Sequence, residues 1–270
     1  MNIITGMVLR GLTLNTEKNF NSIPGLMQWN DARDRVDAPG NKVILWGDKS
    51  AQGNNLFMYR AERQPTYEKA LWIKSPTDGI YLQSNRRDYN FLHNGQKFGI
   101  YAIQKPEWSA ATPAAASNLI YTGGAGVTGL QGIFSTNLNP GRSGYVNRGV
   151  GTSPSRLINN LLDPASPNYS PSNKIYATSF VNMGQTLGIK ISHGNALQSL
   201  PAFFPTMAEY PTGSHQVFTA ISGVAGITAR VGLLLIYNWT GYTGAQVQSF
   251  DAQVLELLNS EKLIFENLDL

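Results

Sequence analysis

Short runs of apolar residues, alternating or continuous, recur along the chain and are separated by segments rich in glycine, proline and asparagine. Their length and their valine, isoleucine, tyrosine and phenylalanine content are typical of β-strands. The predicted strands are 7–14, 42–47, 55–61, 70–75, 79–84, 97–105, 129–136, 174–181, 186–192, 215–222 and 227–238. So many short strands predict an all-β fold, a two-sheet antiparallel jelly-roll sandwich.

Helical spacing is clearest near the end of the chain. From residue 243 onward, apolar residues recur at intervals of three and four, at Val247, Phe250, Val254, Leu257 and Leu258. Thr243 is suited to cap this segment, which predicts a short C-terminal helix packed on the sandwich edge. A second brief helix is predicted at 154–162, with Ser153 as its cap and Pro154 in its first position.

Composition agrees with a turn-rich β-protein. Charged residues make up only 14% of the chain, against about a quarter in an average protein, and there are 27 glycines and 14 prolines. No shift in composition marks an internal domain boundary. We therefore expect an N-terminal arm at 1–22 and one sandwich domain at 23–270. The absence of cysteine excludes disulfides, thiolate metal sites and thiol catalysis.

Charge and hydrophobicity restrict the partners. The net charge of +4 arises from 21 basic and 17 acidic residues that are spread along the chain, without the long basic run typical of a nucleic-acid site. The first residues lack the basic segment followed by an apolar one that is typical of a secretory signal peptide. No apolar run reaches the roughly 20 residues of a membrane span. We expect neither nucleic-acid binding nor membrane insertion.

A series of motifs carries a family resemblance: "PGLMQWNDA" (24–32), "VILWGDKSAQGNN" (43–55), "AERQPTY" (61–67), "SPTDGIYLQS" (75–84) and "FGIYAIQKP" (98–106). This order resembles the laminin-G-type branch of the concanavalin A-like lectin/glucanase superfamily, in versions common in bacterial surface proteins and bacteriophage structural proteins. The segment 233–258 is similar to that family's last strand and the short amphipathic helix after it. The resemblance implies a jelly roll whose N- and C-terminal strands pair.

The resemblance leaves several functions open, because this fold hosts lectins, hydrolases and structural modules. It favours a non-enzymatic bacteriophage virion surface component, such as a capsid decoration, tail or fibre protein, that is extracellular after release. Its expected partners are other virion proteins, further copies of the chain and a host surface glycan. The alternatives are a soluble or cell-surface lectin and a glycoside hydrolase of the same fold.

Catalytic patterns are weak in this sequence. Retaining glycosidases of the superfamily carry acids at E-x-D-x-E spacing, which places them on one face of a strand, and the chain contains no E-x-D. It also lacks the G-x-S-x-G of a nucleophile elbow. The three histidines, His93, His193 and His215, are better explained as hydrogen-bonded turn residues. The sequence therefore predicts a protein that is not an enzyme.

Sugar binding needs an aromatic face together with amides or carboxylates for the hydroxyl groups. The candidate glycan-binding residues are Trp108, Tyr145, Asn147, Trp239 and Tyr242. They fall on three predicted loops, at 107–118, 139–155 and 238–243. A purely structural role predicts instead that Trp108, Tyr145 and Trp239 are buried or lie between subunits.

One cation site is also suggested. Asp31, Asp34 and Asp37 supply three carboxylates within a short span, and hard cations such as Ca²⁺ take oxygen ligands of this kind. Arg33 and Arg35 alternate with them, so local ion pairs explain the same residues without a metal. No other cofactor is expected.

The adjacent Trp-and-acid clusters are predicted to be architectural. Trp29 and Trp46 are expected to anchor the first strands in the core or at the sheet edge. The polar side chains that follow are expected to tie a long loop to its own backbone by local hydrogen bonds, namely Asp48, Ser50, Asn54 and Asn55.

Overall fold

The structure is a computed structural model of the chain, and it describes residues 19–74, 80, 82–84, 89–92, 96–106, 116–121, 129–137, 142–148, 155–158, 160–161, 163–171, 173–200, 216–217 and 229–270. In these ranges the chain is mostly β-structure with one α-helix near its C-terminal end, as the hydrophobic pattern predicts. Most of the predicted arm at 1–22 lies outside the described residues. Phe20 is buried against the domain, and its carbonyl accepts a hydrogen bond from the Tyr237 hydroxyl at 3.1 Å.

The described strands are β1 (Leu26–Ala38), β2 (Lys42–Asp48), β3 (Leu56–Phe57), β4 (Thr66–Glu68), β5 (Trp72–Lys74), β6 (Leu82–Gln83), β7 (Phe98–Pro106), β8 (Ala116–Tyr121), β9 (Gly129–Asn137), β10 (Arg142–Arg148), β11 (Ser155–Ile158), β12 (Tyr176–Asn182), β13 (Ile189–His193), β14 (Ala196–Leu200), β15 (Gln216–Val217) and β16 (Ala229–Asn238). The helix, α1, runs from Gly244 to Leu268. Short 3-10 turns occupy Phe20–Ser22, Ala61–Arg63 and Asn90–Leu92.

Antiparallel pairing links all of these strands into one continuous hydrogen-bonded sheet. The order is β11, β10, β9, β8, β15, β6, β3, β2, β4, β5, β16, β7, β12, β13 and β14, and β1 pairs with both β16 and β2. In the β1–β16 pair, Trp29 lies opposite Leu235 and Asp31 lies opposite Leu233. This pair confirms the expectation that the first and last strands of the domain are neighbours.

The central strands are buried on both faces, which explains their nearly continuous apolar sequences. On β7, Phe98, Ile100 and Ala102 point into one core, while Tyr101 and Ile103 point into a second core beneath α1. The neighbouring β16 divides in the same way between the two cores. The second core therefore lies between the central strands and α1, on the face of these strands opposite the first core.

The helix is held at both ends. Thr243 and Gln246 form a capping box, in which the Gln246 amide donates to Thr243 Oγ1 at 3.3 Å and the Thr243 amide donates to Gln246 Oε1 at 2.9 Å. This confirms Thr243 as the N-cap. The helix extends past Leu258, the last apolar position noted in the sequence. Phe265, about two turns further along, packs against Trp72 with ring centroids 5.2 Å apart, and this contact stabilises the last turns.

Three local predictions are wrong. The segment 154–162, predicted as a helix, contains the strand β11, whose Arg156 lies opposite Tyr145 of β10. A brief helix has little stability of its own in water, so pairing at the sheet edge decides its conformation. The predicted loop at 139–155 likewise contains the whole of β10, which is hydrogen-bonded between β9 and β11, and β8 begins within the predicted loop at 107–118.

The loop after β2 is held as the sequence predicts. The Asp48 carboxylate accepts hydrogen bonds from the Trp29 amide at 2.8 Å, from the Ser50 amide at 2.9 Å and hydroxyl at 2.7 Å, and from the Asn54 amide at 2.6 Å. Asn55 Oδ1 accepts from the Asp48 amide at 2.8 Å. Trp46 is fully buried, which confirms its role as a core anchor.

Candidate functional site

An open groove lies where three separate segments meet: the turns that precede β12, the turn between β13 and β14, and the last turns of α1. Its volume is about 610 Å³, which is within the usual range for small-molecule sites. The lining side chains that matter below are Tyr169, Asn173, Lys174, Tyr176, Asn195 and Glu266.

The first wall of the groove is a series of tight turns. The Tyr169 amide donates to the Ser166 carbonyl at 3.0 Å, and the Asn173 amide donates to the carbonyl of Pro106, at the end of β7, at 2.8 Å. Asn173 has a φ of 61°, a left-handed conformation that asparagine tolerates better than most residues. These bonds fix the backbone that carries Tyr169, whose side chain is 44% exposed.

Tyr176, the first residue of β12, forms the floor. Its hydroxyl donates to the Pro171 carbonyl at 2.8 Å, and its ring lies over His193 with ring centroids 4.6 Å apart. Burial, with a smaller contribution from Tyr169, raises the pKa of Tyr176 to about 12. Burial also lowers the pKa of His193 to about 3. Both floor residues are therefore uncharged at neutral pH.

The second wall is a two-residue turn, Gly194–Asn195, which joins β13 to β14. Gly194 has a φ of 60°, and a Cβ at this position would lie 2.7 Å from Cδ1 of Tyr176. Glycine satisfies both the backbone conformation and the close approach. The turn can therefore lie directly against the Tyr176 ring, and it leaves Asn195 exposed at the rim.

The third wall is the end of α1. Lys262 Nζ pairs with Glu266 Oε1 at 2.5 Å, one helical turn away. Asp269, the C-cap, accepts a hydrogen bond from Trp72 Nε1 at 2.7 Å and another from Lys105. Burial by itself would raise the pKa of Asp269, but the bonds from Lys105 and Trp72 outweigh it and hold the pKa below its usual value. The contacts fasten the helix end to the sheet beside the groove.

Several polar groups of the groove are not used by the protein itself. Within the described ranges, the Tyr169 hydroxyl and the side-chain amides of Asn173 and Asn195 make no hydrogen bond to protein, and Lys174 forms no ion pair. Asn173, Lys174 and Asn195 are all exposed. The groove thus offers an aromatic ring, two amides and an ammonium group to a ligand, which is the set of groups that recognises a sugar.

Of the predicted glycan-binding residues, Trp239 is placed differently from the prediction. It has no exposed surface, because its ring stacks on Tyr237 with centroids 5.3 Å apart and its Nε1 donates to the Pro24 carbonyl at 2.9 Å. The prediction that Trp239 contacts a sugar is wrong, and the structural alternative describes it. Tyr242 is half-buried against Phe250, with centroids 5.1 Å apart. The segment 238–243 covers the second core.

The other three candidates are not tested by the structure. Trp108 lies outside the described residues, and Tyr145 and Asn147 lie on β10, where the side chains are outside the description. They remain predictions.

The calcium prediction is also wrong. Asp31 is buried and pairs with Arg33 at 2.5 Å and with Lys49 at 3.6 Å, while Asp37 pairs with Arg35 at 2.8 Å. Burial acts to raise the pKa of Asp31, but Arg33 outweighs it, so the pKa is lowered. In the part of the chain that the structure describes, no three acidic or histidine side chains come together as a metal site. The ion-pair alternative accounts for Asp31 and Asp37.

Sequence reasoning missed the groove. Its only local sign is the turn-rich stretch "PNYSPSNK" (167–174), which carries one aromatic residue among small and polar ones. The remaining lining residues come from 194–195 and from the helix end, far away along the chain. No sequence pattern shows that these three segments meet.

Comparisons with solved structures show similarity of fold. The botulinum neurotoxin serotype D binding domain aligns with 86% of this chain and 52% of its own length, at 10% identity and a TM-score of 0.57. The type C neurotoxin structure, described as dependent for cell entry on interaction with two ganglioside molecules, aligns with 85% of this chain and 51% of its own length, at 11% identity and a TM-score of 0.50. Trypanosoma rangeli sialidase in complex with sialic acid aligns with 84% of this chain and 33% of its own length, at 14% identity and a TM-score of 0.50. The likeness is one of fold.

The chain spans about a third of the length of the sialidase and about half of the toxin binding domains. No known protein family matches the sequence, and no curated protein matches it either. Among the described residues, α1 included, no helix is both long and apolar enough to cross a bilayer.

Proposed function

We propose that the protein is a non-enzymatic, lectin-like glycan-binding module and that the groove at Tyr169 is its binding site. The observation that carries the proposal is the convergence of an exposed tyrosine, two asparagine amides and a lysine, none used within the described protein, on one groove of about 610 Å³. All four groups reach the surface of the groove, where they are open to a ligand.

Each group has a task in this proposal. The Tyr169 ring packs against the apolar face of a pyranose, where C–H groups meet the electron-rich ring. The side chains of Asn173 and Asn195 each offer a donor and an acceptor to the sugar hydroxyls from two different walls. Tyr176 stays neutral and fixed to Pro171, so it provides a rigid floor. Rigid walls reduce the entropy lost when the sugar binds.

The structural neighbours support the proposal at the level of fold. One of them is a sialidase with bound sialic acid, and another is a neurotoxin whose cell entry depends on interaction with two ganglioside molecules. Because fold does not determine function, this likeness is secondary support, and the proposal rests on the chemistry of the groove.

We further propose a place for this module. The motifs at 24–106 and the pairing of β1 with β16 support a concanavalin A-like jelly roll on a bacteriophage virion surface, in a homo-oligomer beside other virion proteins. In that setting the ligand is a host surface glycan. Trp108, Tyr145 and Asn147 stay as candidates for a second glycan contact.

A glycan array with the purified chain tests the proposal. We expect binding to a restricted set of glycans and its loss in Tyr169→Ala. The matched control is Tyr59→Ala, since Tyr59 is 79% exposed and does not line the groove. If glycan binding survives Tyr169→Ala but is lost in Tyr59→Ala, the binding site lies outside the groove. An array without hits contradicts the proposed function.

A further inference from the structure

We infer that the groove selects glycans that carry an anionic group, a carboxylate or a sulfate ester, and that Lys174 recognises this group. The inference rests on the proposed glycan binding and specifies its ligand class. It is carried by the balance of charges around the groove.

The acidic residues of the groove are already paired. Glu266 is paired with Lys262, and Asp269 is paired with Lys105 and with Lys69 at 3.7 Å. Lys174 is different, because within the described ranges no carboxylate lies within ion-pair distance of it. Its charge is therefore left for a ligand.

Lys174 also starts from a fixed point. The Asn173 amide before it is bonded to Pro106, and two residues later the chain enters β12 at Tyr176. Its side chain is exposed. The Lys174 ammonium group lies at the end of a flexible side chain on a fixed backbone. It can therefore reach an anionic group at the rim while Tyr169 and the asparagine side chains bind the sugar. Because an ammonium is a compact charge, it accepts a carboxylate and a sulfate alike.

The effect is expected in selectivity more than in total affinity. Lys174 is exposed, so its pairing with a ligand is screened by water and salt. We expect an acidic glycan to bind about tenfold more tightly than its neutral counterpart at low salt. The ratio should shrink as the ionic strength rises, because the neutral glycan does not use the charge.

The test is calorimetric titration with three matched oligosaccharides: one with a terminal sialic acid, the same core without it, and the same core with a sulfate ester in its place. The proteins are the unaltered chain, Lys174→Gln, Lys174→Glu and, as a control outside the groove, Lys97→Gln. We expect both acidic glycans to lose about tenfold in affinity in Lys174→Gln and more in Lys174→Glu. The neutral core should be unaffected.

The outcomes separate the two proposals. Equal binding of acidic and neutral glycans, abolished by Tyr169→Ala, overturns the selectivity and leaves glycan binding standing. Acidic selectivity that persists in Lys174→Glu overturns the role of Lys174. Preference for only the sialylated or only the sulfated glycan identifies which anion the groove prefers and supports the inference. Binding of none of the three, together with an empty array, overturns both proposals.

Discussion

The imidazole of His193 lies beneath the ring of Tyr176, with ring centroids 4.6 Å apart and the ring planes inclined by 33°. His193 has no exposed surface, whereas Tyr176 closes the floor of the groove. The pair connects the strand-lined interior to the candidate site. A proton on His193 would place a charge in a dry environment, which is why burial holds its pKa near 3.

This buried histidine makes stability depend on pH. The folded pKa of about 3 lies below the ordinary value of 6.5, so the unfolded chain binds the proton first. The stabilisation is fully present above about pH 6.5 and is lost as the pH falls toward 3, at about 1.4 kcal/mol per pH unit. Urea unfolding at several pH values between 7 and 4 measures this slope.

His193→Phe provides the comparison, because phenylalanine keeps a ring against Tyr176 and cannot take up a proton. We expect its stability to vary less with pH over the same range, after allowance for the acidic residues that titrate below pH 5. An unchanged slope in His193→Phe contradicts the assignment of the pH dependence to His193.

Gly232 of β16 packs directly against the Phe265 ring of α1. A Cβ on this residue would lie 2.8 Å from both Cδ1 and Cζ of Phe265. Since Phe265 is fully buried and cannot move aside freely, we expect Gly232→Ala to cost about 1–3 kcal/mol in free energy of unfolding. Gly47→Ala is the matched control, because its nearest neighbour would be 3.4 Å away. Similar losses from the two substitutions would count against this packing.

Asp48 should dominate the stability of the loop after β2. Its carboxylate accepts four hydrogen bonds, from Trp29, Ser50 and Asn54, so Asp48→Ala leaves several amides without their charged acceptor. We expect a loss of about 2–3 kcal/mol. Asp37→Ala removes one partner of an ion pair within β1, in which the Asp37 side chain is 39% exposed, and should cost about 1 kcal/mol. Thermal or urea unfolding ranks the two, and the reverse order would refute the prediction.

A buried charge couples α1 to β13. Asp251 accepts a hydrogen bond from the Tyr101 hydroxyl at 2.9 Å and pairs with Lys190 Nζ at 2.6 Å. Lys190→Met leaves the buried carboxylate without its cation, and we expect a loss of about 3 kcal/mol. The control, Lys262→Met, breaks a pair whose Glu266 is 39% exposed and should cost about 0.5 kcal/mol. Equal losses in urea unfolding would show that Asp251 is better solvated than the structure indicates.

Much of the architecture was predictable because it depends on local patterns. The apolar runs at 97–105 and 227–238 predicted β7 and β16, and their lack of alternation follows from burial on both faces. The Thr243 cap follows from the residues next to it. Three of the four hydrogen bonds of Asp48 come from Ser50 and Asn54, which follow it closely along the chain, so the composition of the loop was informative.

The errors have a common physical origin. The segment 155–158 is a strand because β10 lies beside it, and Trp239 is buried because Pro24, Tyr237 and α1 surround it. Neither fact can be predicted from the residues next to these positions in the sequence. The groove depends even more on tertiary structure, because Tyr169, Asn195 and Glu266 meet only after the sheet and helix have assembled.

The most direct measurement is a crystal structure of the chain with an array-selected oligosaccharide bound. We predict a sugar ring over Tyr169, within hydrogen-bond distance of the side-chain amides of Asn173 and Asn195, with any anionic group beside Lys174. A sugar bound at another surface, with the Tyr169 groove filled only by solvent, would contradict the account.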